Sequence, residues 1–112
     1  MSSAFIEPGL SAEAVGVHRA LASLQEELEA IDYYHQRADR EEDPELNAIL
    51  IHNRNDEMEH AAMLLEWLRR ALPPLDGQLR KLLFRSGSIT ALAARKAEAG
   101  GKGLGLGNLK LS

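Results

Sequence analysis

The residues with the most chemistry to offer stand on one face of what should be a helix. From Leu46 an apolar seam runs through Leu50, Asn53, Glu57, His60, Leu64, Trp67 and Ala71. It steps alternately by four and three, the spacing of a single helical stripe. Its middle third is an amide, a carboxylate and an imidazole, where packing residues belong. Burying a carboxylate without a partner costs several kcal/mol, so something must compensate. Glu57-Met58-Glu59-His60 is a Glu-x-x-His motif. Its i, i+3 spacing sends both side chains into one bundle core, as dinuclear carboxylate centres require. The chain has no cysteine, so any metal must be held by oxygen and imidazole.

A second carboxylate is level with this pair. A hairpin turning at residue 41 or 42 brings Glu27 to the height of Glu57, at the edge of the apolar arc Val17, Leu21, Leu24, Leu28, Ile31. One chain thus supplies one carboxylate from one helix and Glu-x-x-His from the other, which is half of a dinuclear set. Dimerisation completes it with two copies each of Glu27, Glu57 and His60. Four carboxylates then balance two divalent ions. Oxygen-rich ligation with one imidazole per metal suits iron(II) or manganese(II), with zinc as the competing occupant. A Glu-x-x-His on an exposed helix face would mean nothing; its place in the seam and the level match with Glu27 favour the metal reading. His18, His35 and His52 lack such placement and read as surface or satisfied histidines. Glu26, Glu29 and Tyr33 form a neighbouring face at i, i+3, i+7, open to two readings: a solvated surface, or a weak uptake site for iron. Tyr34 reads as a packing residue that could also stand behind the centre.

The elements that must position these residues are helices. Residues 1–11 form a flexible lead-in broken by Pro8-Gly9. A first helix is expected from Ser11 or Ala12 to about Ala38. Asp39-Arg40-Glu41-Glu42-Asp43 is a short charged connection, and Asp43-Pro44 reads as an N-cap followed by proline at the first helical position. A second helix should run from Pro44 to about Leu72 and stop at Pro73-Pro74. Shorter pieces fit Leu75 to Phe84 and, after Ser86-Gly87-Ser88, Ile89 to Ala97. Residues 12–97 thus make one helical domain. Residues 98–112 are a glycine-rich linker and tail, expected to be disordered. Two long helices cannot surround a core, so the fold class is all-α: an antiparallel hairpin whose homodimer makes a four-helix bundle.

Composition narrows the partners. A formal net charge of −4 and a pI near 5.5 argue against nucleic acid. No run approaches the roughly 18 apolar residues of a membrane span, and no signal peptide precedes the helices. The expectation is a soluble, intracellular protein.

At the level of motifs the chain resembles the encapsulated ferritins. The resemblance is carried by Glu26-Glu27-Leu28-Glu29-Ala30-Ile31-Asp32-Tyr33-Tyr34, by Asp43-Pro44-Glu45-Leu46, by the stretch from His52 to Met63, and by Glu66-Trp67-Leu68-Arg69-Arg70. In that family a two-helix subunit, half a ferritin, forms dimers with a ferroxidase centre across the interface, and the dimers build an annular decamer. The resemblance implies that Glu27, Glu57 and His60 are iron ligands and that Glu26 and Glu29 are uptake-site carboxylates. The chain departs from the family pattern at Tyr33, usually tryptophan, and at Ser88, usually proline, which loosens the expected turn before Ile89. Residues 104–111, from Leu104 to Leu111, resemble the peptide that directs cargo into encapsulin shells. Its glycines permit an extended fit in a groove and its leucines supply anchors.

The function implied is a ferroxidase in an encapsulin nanocompartment within the cytoplasm. Two iron(II) ions per dimer would be oxidised by dioxygen for mineralisation and storage in the shell. The rivals are a rubrerythrin-like dinuclear peroxidase and a non-enzymatic helical adaptor whose acidic seam sets dimer register.

Overall fold

The computed structural model describes residues 6–96; the N-terminal residues before these, and the tail with its proposed targeting peptide, lie outside it. The described residues form four α-helices: α1 (Ala12–Arg40), α2 (Pro44–Ala71), α3 (Pro73–Leu82) and α4 (Ile89–Ala94). No strand occurs among them.

Helix α1 starts where a hydroxyl can satisfy its first free amides. Ser11 is the N-cap, its Oγ accepting from the Ala14 amide at 3.1 Å. The helix ends at Arg40, two residues beyond the expected stop, because Arg37 and Arg40 suit the negative C-terminal end of the helix dipole. Asp43 caps α2 by accepting from the Leu46 amide at 2.8 Å, and Pro44 takes the first helical position.

The turn between them is closed by Asn47. Its Nδ2 donates to the Ala38 carbonyl at 2.5 Å, satisfying an acceptor that the end of α1 leaves free. Farther along, Arg54 Nη1 meets His35 Nδ1 at 3.1 Å, and the Trp67 ring lies over Gly16. Contacts that pair the end of α1 with the start of α2, and the start of α1 with the end of α2, define an antiparallel hairpin.

The line of α2 that faces α1 is Asn47, Arg54 and Ala61, spaced by seven. It lies beside the seam containing Glu57 and His60 and does not coincide with it. Within the hairpin the fully buried apolar residues are Ala20, Ala38 and Ala61, all small enough for the helices to approach closely, while Val17, Leu24, Ile31, Leu50 and Leu64 are partly buried. Leu28, Leu46, Met58, Met63 and Trp67 stay exposed on the single chain.

The chain divides after Trp67 into the hairpin and a second compact unit beginning at Leu68. In that second unit the expectation that Pro73-Pro74 only ends α2 is corrected. Pro73 opens α3, since a residue without an N–H costs nothing in a first helical turn. Asp76 joins two arginines: it pairs with Arg69, and both its oxygens lie 3.0 Å from Arg80 Nε. Burial pushes the Asp76 carboxyl up, but the two guanidiniums prevail and hold it below its usual range. Lys81 Nζ donates to the Ala93 carbonyl at 2.8 Å, tying α3 to α4. Ser88 Oγ accepts from the Ala91 amide at 3.2 Å and caps α4. The serine therefore defines that turn instead of loosening it. Helix α4 ends at Ala94, short of the expected Ala97.

Candidate metal centre

Three titratable side chains converge on the open edge of the hairpin. Glu27 projects from the middle of α1; Glu57 and His60 project from consecutive turns of α2. One ligand atom from each lies within 4.8 Å of the others. His60 Nδ1 is the nitrogen turned inward, 3.4 Å from Oε1 of Glu27 and 3.4 Å from Oε1 of Glu57. Both carboxylates are about three-quarters covered, each 24% exposed, while the imidazole is 50% exposed and forms the outer side of the group.

The hydrogen bond with Glu57 is the largest influence on Glu27, followed by burial and the Glu57 charge, and together they raise its pKa against the opposing pull of His60. For His60, burial favours the neutral ring, but bonds to Glu57 and Glu27 and their charges outweigh it and raise its pKa. Glu27 Oε1 is buried without a hydrogen bond of good geometry, and His60 Nδ1 approaches it only to 3.4 Å. A buried carboxylate oxygen without a donor is costly unless a cation meets it. Hard oxygens with one imidazole fit iron(II) or another small divalent cation.

Residues 5–86 match the EncFtn-like family. The chain belongs to that family. It is 50% identical over 115 residues to the encapsulated ferritin-like protein of Rhodospirillum rubrum, covering 90% of this chain and 82% of the relative. It is 55% identical over 74 residues to a ferritin-like protein of Thermotoga maritima, covering 66% of this chain and 65% of that one. The crystal structure of a Nitrosomonas europaea protein superposes with a TM-score of 0.73 at 52% identity, covering 77% of this chain and 97% of its own. This EncFtn-like chain is therefore ferritin-like in sequence and in fold.

The remaining sequence candidates fall elsewhere. Glu26 and Glu29 are exposed on α1 and do not join the three-residue group. Tyr33 Oη donates to Glu29 Oε2 at 2.9 Å, and that bond is the main reason the phenol pKa is raised. Arg37 lies over both tyrosines, its Cζ 5.9 Å from the Tyr33 ring centroid and 5.4 Å from that of Tyr34. Tyr34 is thus engaged with Arg37 on its own helix. His52 pairs with Asp56 at 3.2 Å and His35 with Arg54, as satisfied histidines do. Sequence reasoning missed Asn47 and Arg54, which set the register of the hairpin. Their spacing of seven with Ala61 and Leu68 was the available signal.

Proposed function

We propose that this chain is a ferroxidase, with iron(II) as substrate and dioxygen as the electron acceptor. Two copies would bring together two sets of Glu27, Glu57 and His60 across a dimer interface and hold two iron ions between them. The observation that carries the reading is the convergence of three ligand atoms on Glu27 Oε1, a buried oxygen without a donor of its own. Three ligands from one chain are half of a dinuclear set, and the exposed Leu28, Met58 and Trp67 on the same hairpin give a second copy something to cover.

The roles of the residues follow from their charge. Glu27 and Glu57 bind as anions and offset the charge gained when iron(II) becomes iron(III), a change that oxygen ligands favour. His60 must present Nδ1 unprotonated, so binding displaces a proton from the Glu27–His60–Glu57 group. Glu26 and Glu29 fit a weak uptake site: their exposure keeps affinity low, and the Tyr33 bond orients Glu29.

The name of the Rhodospirillum relative supports an encapsulin compartment as the setting, with residues 104–111 as the address read by the shell and the iron stored inside it. Assembly into a ring such as a decamer is part of the same reading.

Stopped-flow oxidation of iron(II), with dioxygen and then peroxide as the supplied oxidant, tests the proposal together with metal content. Wild-type protein should consume dioxygen rapidly, and Glu57→Ala should lose that phase along with the bound metal pair. Undiminished oxidation by Glu57→Ala would sink the assignment, and turnover with peroxide alone would favour a peroxidase.

A further inference from the structure

Three polar side chains interrupt the apolar seam of α2, and the metal centre uses two of them, Glu57 and His60. The third is Asn53, one turn before Glu57. At about 100° of rotation per residue, Asn53 falls between Glu57 and His60 on the helical wheel. It is partly buried, and among the described residues its amide makes no hydrogen bond. The other asparagines of α2 are engaged. Asn47 donates to the Ala38 carbonyl, and Asn55 Oδ1 accepts from Arg54 Nε at 3.2 Å and from Nη2 at 3.1 Å. For packing alone Asn53 is a poor choice. Asparagine favours helix less than the neighbouring seam residues Leu50 and Leu64, and a partly buried amide without a partner is costly.

The centre has a matching need. Side chains on a helix lean toward its N-terminus, so Glu57 leans over the turn that carries Asn53. Glu57 turns Oε1 to His60 Nδ1 at 3.4 Å, and among the described residues no nitrogen donor reaches its Oε2. A ligating carboxylate is held in place by a hydrogen bond to the oxygen the metal does not take. We propose that Asn53 is a positioning residue of the metal centre, its Nδ2 donating to Oε2 of Glu57 in the metal-bound protein and fixing that carboxylate in its ligating orientation. Residues four apart on a helix are within reach, with Cβ atoms about 5–6 Å from each other. An amide also suits the charge: it donates without adding a further negative group to the four carboxylates of the proposed centre. The inference rests on the proposed function, since it assigns the support of that centre's Glu57.

Calorimetric titration with zinc, followed by steady oxidation of iron(II), tests the assignment in the full-length protein. Asn53→Leu should lower zinc affinity by about 10–100-fold, the usual cost of losing such a support. In oxidation the loss should fall on KM, with kcat near wild type at saturating iron(II). The metal-free Asn53→Leu chain should melt no lower than wild type, because leucine suits both the helix and the seam. Asn53→Gln keeps the amide donor on a longer stem and should hold zinc nearly as well as wild type. If Asn53 only filled the seam, Asn53→Leu would bind zinc like wild type, and that result overturns the inference. Equal losses in Asn53→Leu and Asn53→Gln overturn it too, since shape and not the donor would then decide. Glu57→Ala separates this inference from the reading beneath it. Wild-type zinc affinity in Glu57→Ala overturns the metal centre itself, whereas its loss there beside unchanged binding in Asn53→Leu overturns only the role of Asn53.

Discussion

Glu27 and His60 carry raised pKa values for opposite reasons of charge: one shares its space with another carboxylate, the other is courted by two. Both shifts mean that protons compete with a metal at higher pH than at an ordinary carboxylate or imidazole. Metal affinity should therefore be fully expressed only above the raised His60 pKa, and should fall as pH drops through that value and then through that of Glu27. Calorimetric titration with iron(II) or zinc at a series of pH values, in buffers of different ionisation heat, measures both the affinity and the protons released. Binding that is flat with pH and releases no protons would exclude His60 Nδ1 as a ligand. Alanine at Glu27 or His60 should abolish rapid oxidation, since each change would delete two ligands from the proposed symmetric centre. Alanine at Glu26 or Glu29 should slow uptake and leave the bound metal pair in place, as metal content beside stopped-flow rates would register.

The helices depend on a few polar residues at their ends. Asp43 accepts the first free amide of α2, and its replacement by alanine should cost about 1 kcal/mol of stability. Asn47 spans the turn to the Ala38 carbonyl, and Asn47→Ala should cost a similar amount, about 1–2 kcal/mol, by leaving a partly buried acceptor without its donor. Urea denaturation followed by circular dichroism checks both, and an unchanged midpoint for Asn47→Ala would mean that water replaces it. In the second unit Asp76 has its pKa lowered by Arg69 and Arg80. A depressed carboxylate contributes stability that is present above its unfolded value of about 3.8 and is lost as pH falls through its folded value.

On the proposed reading the working unit of the whole molecule is a dimer. Leu28, Met58, Met63 and Trp67 of its hairpin stay largely exposed on the single chain, and a metal that binds only the proposed dimer should stabilise that dimer by mass action. Native mass spectrometry with and without iron(II) should show a shift from smaller species to even-numbered ones. A monomer holding two iron ions would contradict the half-site. Deleting Leu104 to Ser112 should leave oxidation and assembly unchanged while preventing loading into a co-expressed encapsulin shell, measured as the amount that co-purifies with shells.

Sequence by itself determined the elements and the three residues, Glu27, Glu57 and His60, that meet between the helices. Ser11 and Asp43-Pro44 are local signals whose hydrogen bonds close within three residues, so no distant partner was needed to read them. The level match of Glu27 with Glu57 followed from helical rise and one turn position, and the side chains meet as that match requires. Tertiary structure decided which face of α2 packs on α1. The seam through Glu57 and His60 satisfied the apolar pattern best, yet the helices close on the neighbouring line of Asn47, Arg54 and Ala61. The reason is size and satisfaction. Alanines let two backbones approach, and the polar members of that line find partners on α1. Of the larger apolar residues of the seam, Leu50 and Leu64 are partly buried, while Leu46 and Trp67 stay largely exposed on the single chain. A hydrophobic pattern records that a residue will be buried, not whether its own chain or another does the burying.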